Sequence, residues 1–116
     1  MRKVDKKLDK QLRLLLTEVC ETALKNVEGF VWLTHVVNFS NFPSSLKVIC
    51  VFNENTALNQ YLTSDSCHYI SALIESLLKT AGINIKHIKH HVLYDTEENC
   101  NQQHQGNWAK RLKYSS

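Results

Sequence analysis

Apolar residues recur every three or four positions along the first part of the chain, which is the period of an α-helix. The pattern covers residues 5–27 and stops before Gly29, a residue suited to the left-handed turn after a helix. We therefore predict a long amphipathic helix that packs its apolar side on a broad surface. The apolar stripe consists of Val4, Leu8, Leu12, Leu15, Val19, Ala23 and Val27.

Two segments rich in β-branched and aromatic residues follow, at residues 30–39 and 46–52, and the only proline lies between them. This composition predicts a β-hairpin with an irregular loop. A two-stranded hairpin is marginally stable alone in water. We therefore expect a third strand and helices to cover it.

The pattern then returns to helix and finally to strand. Residues 57–62 fit a short helix, and residues 67–81 carry apolar positions at i, i+3, i+4 and i+7 before Gly82. Residues 83–94 have strand character, and a strand reached through a helix lies most naturally parallel to a neighbour. The predicted core is Leu12, Leu15, Val19, Leu33, Val37, Val48, Cys50, Ile70, Leu73, Ile74, Leu77 and Val92.

The predicted fold class is therefore α+β, with the order α-β-β-(α)-α-β and a small three-stranded mixed sheet whose helices pack on one face. The 116 residues are 43% hydrophobic and 22% charged, which is typical of one compact domain. We expect a single domain over residues 1–116, with a core at 5–95 and an amide-rich polar tail at 96–116. Two arrangements are open for Trp108 to Leu112: a docked helical turn or a free end.

The sequence favours the cytoplasm. No apolar run approaches the roughly 18 residues that cross a bilayer, and no apolar segment follows the basic start of the chain. Three of the four cysteines lie in apolar segments, where a reduced cysteine behaves as a small hydrophobe. We therefore expect no membrane association and no disulfide framework.

Basic residues concentrate at the two ends of a chain whose net charge is +3. Such clusters are either solvated helix faces or the electrostatic footprint of a nucleic-acid binder. On the second interpretation, the phosphate contacts would be Lys6, Lys7, Lys10, Arg13, Lys86, Lys89, Lys110 and Arg111. Six of the fourteen basic residues fall within the first thirteen positions, as Arg2, Lys3, Lys6, Lys7, Lys10 and Arg13.

The first predicted strand is apolar on both sides. Strict alternation places Phe30, Trp32 and Val36 on one face, for which the short chain offers no second layer of helices. A large exposed apolar patch usually marks an interface. We therefore predict a homodimer through this face, unless the twist of the hairpin or the tail bearing Trp108 covers it. A protein-interaction module that uses this face is an alternative function.

No metal or catalytic motif emerges. Cys100 and His104 have the spacing of one helical turn, but structural zinc sites normally show paired ligands such as Cys-x-x-Cys. Neither a Gly-x-Ser-x-Gly elbow nor a phosphate-cradling glycine loop is present. The acidic residues after the last predicted strand fit a solvated turn. We predict no metal, no cofactor and no enzymatic activity.

From residue 12 to residue 95 the element order resembles ribosome-binding factor A and its type II KH-like relatives. The resemblance rests on the strand Trp32 to Phe39, the strand Leu46 to Phe52, and the closing Val92-Leu93-Tyr94-Asp95 after a helix. It implies a ribosome-associated or other RNA-binding module. It carries over no binding residues, because the Gly-x-x-Gly loop with which KH modules hold RNA is missing.

A second resemblance points to DNA. The segment from Leu78 to Lys89 is similar to the helix-turn-helix of Fis-type bacterial regulators, with an apolar helix, a glycine turn and a basic segment. It implies a DNA-binding transcriptional regulator, provided that residues 83–94 are helical. Their β-branched content favours a strand instead.

Overall fold

A computed structural model of the protein describes residues 3–115. The predicted order α-β-β-α-α-β is confirmed, and two further helices follow it. Single turns of 3-10 helix lie at Phe39–Asn41 and Ile88–His90. No helix in this part of the chain is long and apolar enough to cross a membrane. The elements are α1 (Lys3–Asn26), β1 (Phe30–Val36), β2 (Lys47–Phe52), α2 (Asn55–Thr63), α3 (Tyr69–Thr80), β3 (Val92–Thr96), α4 (Glu97–His104) and α5 (Trp108–Ser115).

A glycine closes the connection between α1 and β1. Gly29 has a φ of 86°, a left-handed conformation that other residues adopt only at a steric cost. Its carbonyl accepts a 2.9 Å hydrogen bond from the Asn53 amide, which ties the start of β1 to the end of β2. A Cβ atom at this position would lie 2.5 Å from the Cβ of Ala57, so Gly29 also lets α2 approach closely.

The strands form one mixed sheet in the order β1-β2-β3, in which β1 is antiparallel and β3 is parallel to the central β2. Residues opposite each other in an antiparallel pair lie on the same side of the sheet. The register therefore assigns Leu33 and Cys50 to one face, the core face, and Trp32 and Val51 to the other, the second face. A register shift between Phe30 and Trp32 interrupts the alternation along β1.

The two long helices pack side by side on the core face, as predicted. Their buried residues form one hydrophobic cluster with those of β2, and Asn26 Nδ2 donates a 3.2 Å hydrogen bond to Tyr69 Oη where α1 ends and α3 begins. Leu12, Val19 and Ile74 are fully buried in this cluster. Eight of the twelve predicted core residues are buried in this cluster. The other four are partly buried and pack against it: Leu33, Val37, Leu73 and Leu77.

The polar tail covers part of the second face. Val51 is fully buried there, although α1 and α3 lie on the opposite side of the sheet. Trp108 of α5 packs edge-on against Trp32 with ring centroids 4.9 Å apart, and Arg111 of α5 binds Asp95. Trp32 and Asp95 are the two strand neighbours of Val51, so α5 crosses the sheet at this row. The tail therefore docks as a helix rather than hanging free.

The third strand is shorter than predicted, because β3 begins only at Val92, although the His91 carbonyl before it accepts a 2.7 Å hydrogen bond from the Val48 amide. The backbone of His87 is left-handed, with a φ of 57°, and such a residue interrupts an extended segment. Ile83 and Ile88 nevertheless pack into or against the core cluster. The isoleucines of this segment therefore anchor an exposed loop to the core and do not form a sheet edge.

Candidate nucleic-acid interface

One end of the sheet gathers three basic segments. β1 ends where β2 and β3 begin, because β1 is antiparallel and β3 parallel to β2. α1 begins at the same end, since Asp9 Oδ1 lies 4.0 Å from His35 Nε2 near the end of β1. The start of α1 therefore lies at the same end of the sheet as the loop 37–46, the first residue of β2 and the segment 83–91. We call this region the basic end, and its cations are Lys6, Lys7, Lys10, Arg13, Lys47, Lys86 and Lys89.

The α1 part of the basic end consists of the predicted contacts. Lys6, Lys7 and Lys10 are exposed, on a helix that spans about 36 Å at 1.5 Å per residue. Arg13 is also exposed, but its Nε donates a 2.9 Å hydrogen bond to Asp9 Oδ2. Asp9 therefore offsets part of the charge of Arg13. Arg2 lies outside the described residues.

The remaining cations of the basic end come from the other two segments. Lys86 and Lys89 are exposed, as expected of phosphate contacts. Lys47 opens β2, and its Nζ donates a 3.4 Å hydrogen bond to the carbonyl of His90. Sequence reasoning missed Lys47, and its position as the one lysine of an otherwise apolar strand was the available signal. Neither the residues 37–46 nor the residues 83–91 include an acidic side chain.

Carboxylates gather at the opposite end of the sheet. Glu28 precedes β1, Glu54 follows β2, and Glu97 and Glu98 follow β3. Glu98 Oε1 accepts a 2.9 Å hydrogen bond from the Asn55 amide, which places the starts of α2 and α4 side by side. The two ends of the sheet therefore carry opposite charge.

The two predicted contacts in the tail lie apart from the basic end. Lys110 is exposed on α5, which sits on the second face. The Arg111 guanidinium makes a two-pronged contact with Asp95, at 2.5 Å from Nε and 2.9 Å from Nη2, and its side chain is 12% exposed. The hydrogen bonds to Asp95 raise the pKa of Arg111 above its ordinary value. Arg111 therefore fastens α5 to β3, and it is poorly placed to contact a phosphate.

The acidic residues at the end of β3 and directly after it do not form a solvated turn. Asp95 holds Arg111, as described above, and Glu97 accepts hydrogen bonds from two tryptophans. Trp32 Nε1 lies 2.5 Å from Glu97 Oε1, and Trp108 Nε1 lies 3.1 Å from Glu97 Oε2. Each indole N–H at the junction of the sheet with α5 thus has an acceptor.

The predicted interface residues do not share one face. Phe30 lies opposite Phe52 and is 5% exposed in the core, because the register shift after Phe30 places it on the other side of β1 from Trp32. Trp32 is half-buried beneath Trp108. Val36 lies opposite Lys47 on the second face. The homodimer stays a prediction, but α5 already covers part of the surface on which it was based.

The cysteines and histidines form no metal centre in residues 3–115. Cys100 is fully buried, and burial raises the pKa of its thiol. His104 is turned toward Arg111, with 3.2 Å between His104 Nδ1 and Arg111 Nη1. His91 Nδ1 lies 2.6 Å from the Leu46 carbonyl and holds the segment 83–91 to β2.

The helix expected by the helix-turn-helix interpretation is not formed. A turn at Gly82 follows α3, as that motif requires, but residues 83–91 are irregular apart from the 3-10 turn at Ile88–His90. Val92–Thr96 is then a strand. This segment thus presents a loop, not a recognition helix, to the surroundings.

Comparisons of the chain with models of known protein families, with curated proteins and with solved structures find no match.

Proposed function

We propose that this protein is a non-enzymatic, cytoplasmic module that binds nucleic acid, RNA in preference to DNA, through its basic end. The observation that carries the proposal is the segregation of charge between the two ends of the sheet. Lysines from α1, from the start of β2 and from the segment 83–91 converge at one end, and glutamates follow or precede the strands at the other.

The chemistry of the basic end suits a phosphate backbone. Lysine ammonium groups bind phosphate as point charges, and each contact displaces counterions from the nucleic acid. The acidic groups within the first turns of α1 are Asp5, which is buried, and Asp9, which is engaged by Arg13. A polyanion approaching the start of α1 therefore meets exposed ammonium groups, whereas beside the segment 83–91 it also meets Glu75 of α3 together with Lys79.

The preference for RNA rests on the element order, which resembles that of ribosome-binding factor A and type II KH-like domains. The two alternatives have less support. A Fis-like regulator requires a recognition helix where the chain has the loop 83–91. A protein-interaction module at Trp32 requires a face on which Trp108 is already packed.

The test is purification of the tagged protein from its own cells, with analysis of bound nucleic acid before and after nuclease treatment. Wild type is compared with the charge reversal Lys6→Glu, Lys7→Glu, Lys10→Glu. The matched control reverses three exposed lysines outside the basic end, Lys25→Glu, Lys110→Glu, Lys113→Glu, so that both variants have the same net charge.

We expect RNA to accompany wild type and the control variant, and most of it to be lost from the basic-end variant. Because all six lysines are exposed, neither substitution should change the melting temperature much. The nucleic-acid proposal would be contradicted if only a protein partner were recovered and if its recovery were insensitive to nuclease and to charge reversal at the basic end.

A further inference from the structure

The basic end displays a pair of stacked histidine rings. His87 and His90 are both exposed, and their imidazoles are stacked with centroids 5.6 Å apart and an interplanar angle of 28°. Lys86 and Lys89 immediately precede them in the chain. Each ring of the pair therefore has an exposed lysine as its preceding chain neighbour.

The backbone fixes this ring pair. A hydrogen bond of 2.9 Å runs from the His90 amide to the His87 carbonyl, closing a 3-10 turn. This turn brings His87 and His90 together, and their rings stack on each other. Ile88, between the two histidines, packs against the core cluster and holds the turn in place. The rings are therefore presented to solvent on an anchored turn.

The neighbouring loop reinforces the arrangement. Phe39 and Phe42 pack on each other, with centroids 5.9 Å apart, and against the core cluster, which anchors the loop 37–46. Pro43 and Ser44 of this loop line one shallow depression together with Asn84, Ile85, Lys86 and His91. Lys86 and His91, which flank the ring pair in the chain, thus line a depression whose other wall is the anchored loop 37–46.

We propose that His87 and His90 form a stacking platform for unpaired bases, so that the ligand of the basic end is single-stranded RNA or an RNA loop rather than a continuous duplex. The inference rests on the proposed function and deepens it. Histidine is among the side chains on which splayed-out bases stack, whereas the bases of a duplex are already stacked on each other. Lys86 and Lys89 would hold the phosphates on either side of the stacked base.

The test is the fluorescence anisotropy of a labelled twelve-nucleotide oligouridine, alone and annealed to its oligoadenosine complement, titrated with the full chain. His90→Ala removes one ring of the pair, and His90→Phe restores an aromatic surface without the imidazole. His68→Ala is the matched control, because His68 is an exposed imidazole outside the ring pair, at the start of α3, where it lines a depression with Lys89.

We expect wild type to bind the single strand more tightly than the duplex. His90→Ala should weaken single-strand binding by about 5-fold or more, the effect of losing one stacked base, without changing duplex binding. His90→Phe should restore most of the affinity, and His68→Ala should behave as wild type.

Two results would overturn the inference, and they are distinguishable. Equal binding of single strand and duplex, with no effect of His90→Ala, would leave the proposed function standing and remove the stacking platform. Binding of neither probe by wild type would remove the proposed function and the platform with it.

Discussion

His35 lies near the end of β1 and faces α1. Burial lowers the pKa of its imidazole below the ordinary value of 6.5; the carboxylate of Asp9 opposes this effect, and the charge of Arg13 adds to it. A lowered pKa means that the unfolded chain binds the proton more readily than the folded protein does. The stabilisation is therefore fully present above the unfolded pKa and is lost as the pH falls through the folded one.

We accordingly predict that wild type loses more stability between about pH 7.5 and about pH 5 than His35→Gln does, since only wild type carries this imidazole. Urea unfolding of both proteins at the two pH values measures the difference. An identical loss in the two proteins would mean that His35 takes up its proton as easily in the folded state as in the unfolded chain.

The exposure of single residues was predictable where the helical period of apolar residues assigns them to a face. The exposure of Lys6, Lys7 and Lys10 follows from the apolar stripe of α1, because a residue outside the stripe faces solvent. The hydrogen bond from Trp32 to Glu97 joins residues 65 positions apart, and no local pattern encodes such a contact. The contact between Arg111 and Asp95 was also not predictable from a local pattern. The cluster of basic residues around Arg111 suggested a phosphate contact instead.

At the scale of elements, two glycines with nearly the same φ angle distinguish the cost of a left-handed backbone from the cost of a steric clash with a neighbouring helix. Gly29 and Gly82 have φ angles of 86° and 82°. A Cβ at Gly29 would lie 2.5 Å from that of Ala57, whereas a Cβ at Gly82 has nothing within 4 Å.

We predict that Gly29→Ala and Gly82→Ala each lose about 1–2 kcal/mol of stability, because alanine is disfavoured in the left-handed conformation. Gly29→Ala should lose about 1–3 kcal/mol more, because α2 must shift away from the added methyl group. Chemical denaturation of the two variants gives both free energies of unfolding. Equal losses would contradict the close approach of α2 to the start of β1.

Elements with a strong apolar period were predictable, and α4 was not. Its sequence, Glu-Glu-Asn-Cys-Asn-Gln-Gln-His, has no apolar stripe, and amide-rich runs also suit loops. The helix begins because Thr96 Oγ1 accepts a 3.0 Å hydrogen bond from the Asn99 amide and two glutamates lie in the first turn. Threonine followed by two acidic residues was the signal for a helix start. The start of β3 was predicted too early. The β-branched residues before Val92 suggested a strand, but they anchor a loop to the core.

At the scale of the whole molecule, the mixed sheet determines where charges meet. Basic residues far apart in the chain converge because the parallel pairing of β3 with β2 returns the segment 83–91 to the end at which α1 begins. The mixed sheet and its helices followed from the sequence. The charge segregation did not, because it depends on which ends of the elements are neighbours.

The most direct test of the account is the salt dependence of RNA affinity for wild type, Lys10→Gln and Lys25→Gln. Lys10 belongs to the basic end, and Lys25 is an exposed lysine near the other end of the same helix. The slope of log K against log salt counts the phosphates neutralised by the protein. We predict that Lys10→Gln lowers the magnitude of this slope by about 0.7–1 unit and that Lys25→Gln leaves it unchanged. The same slope for all three proteins, or a loss confined to Lys25→Gln, would contradict binding through the basic end.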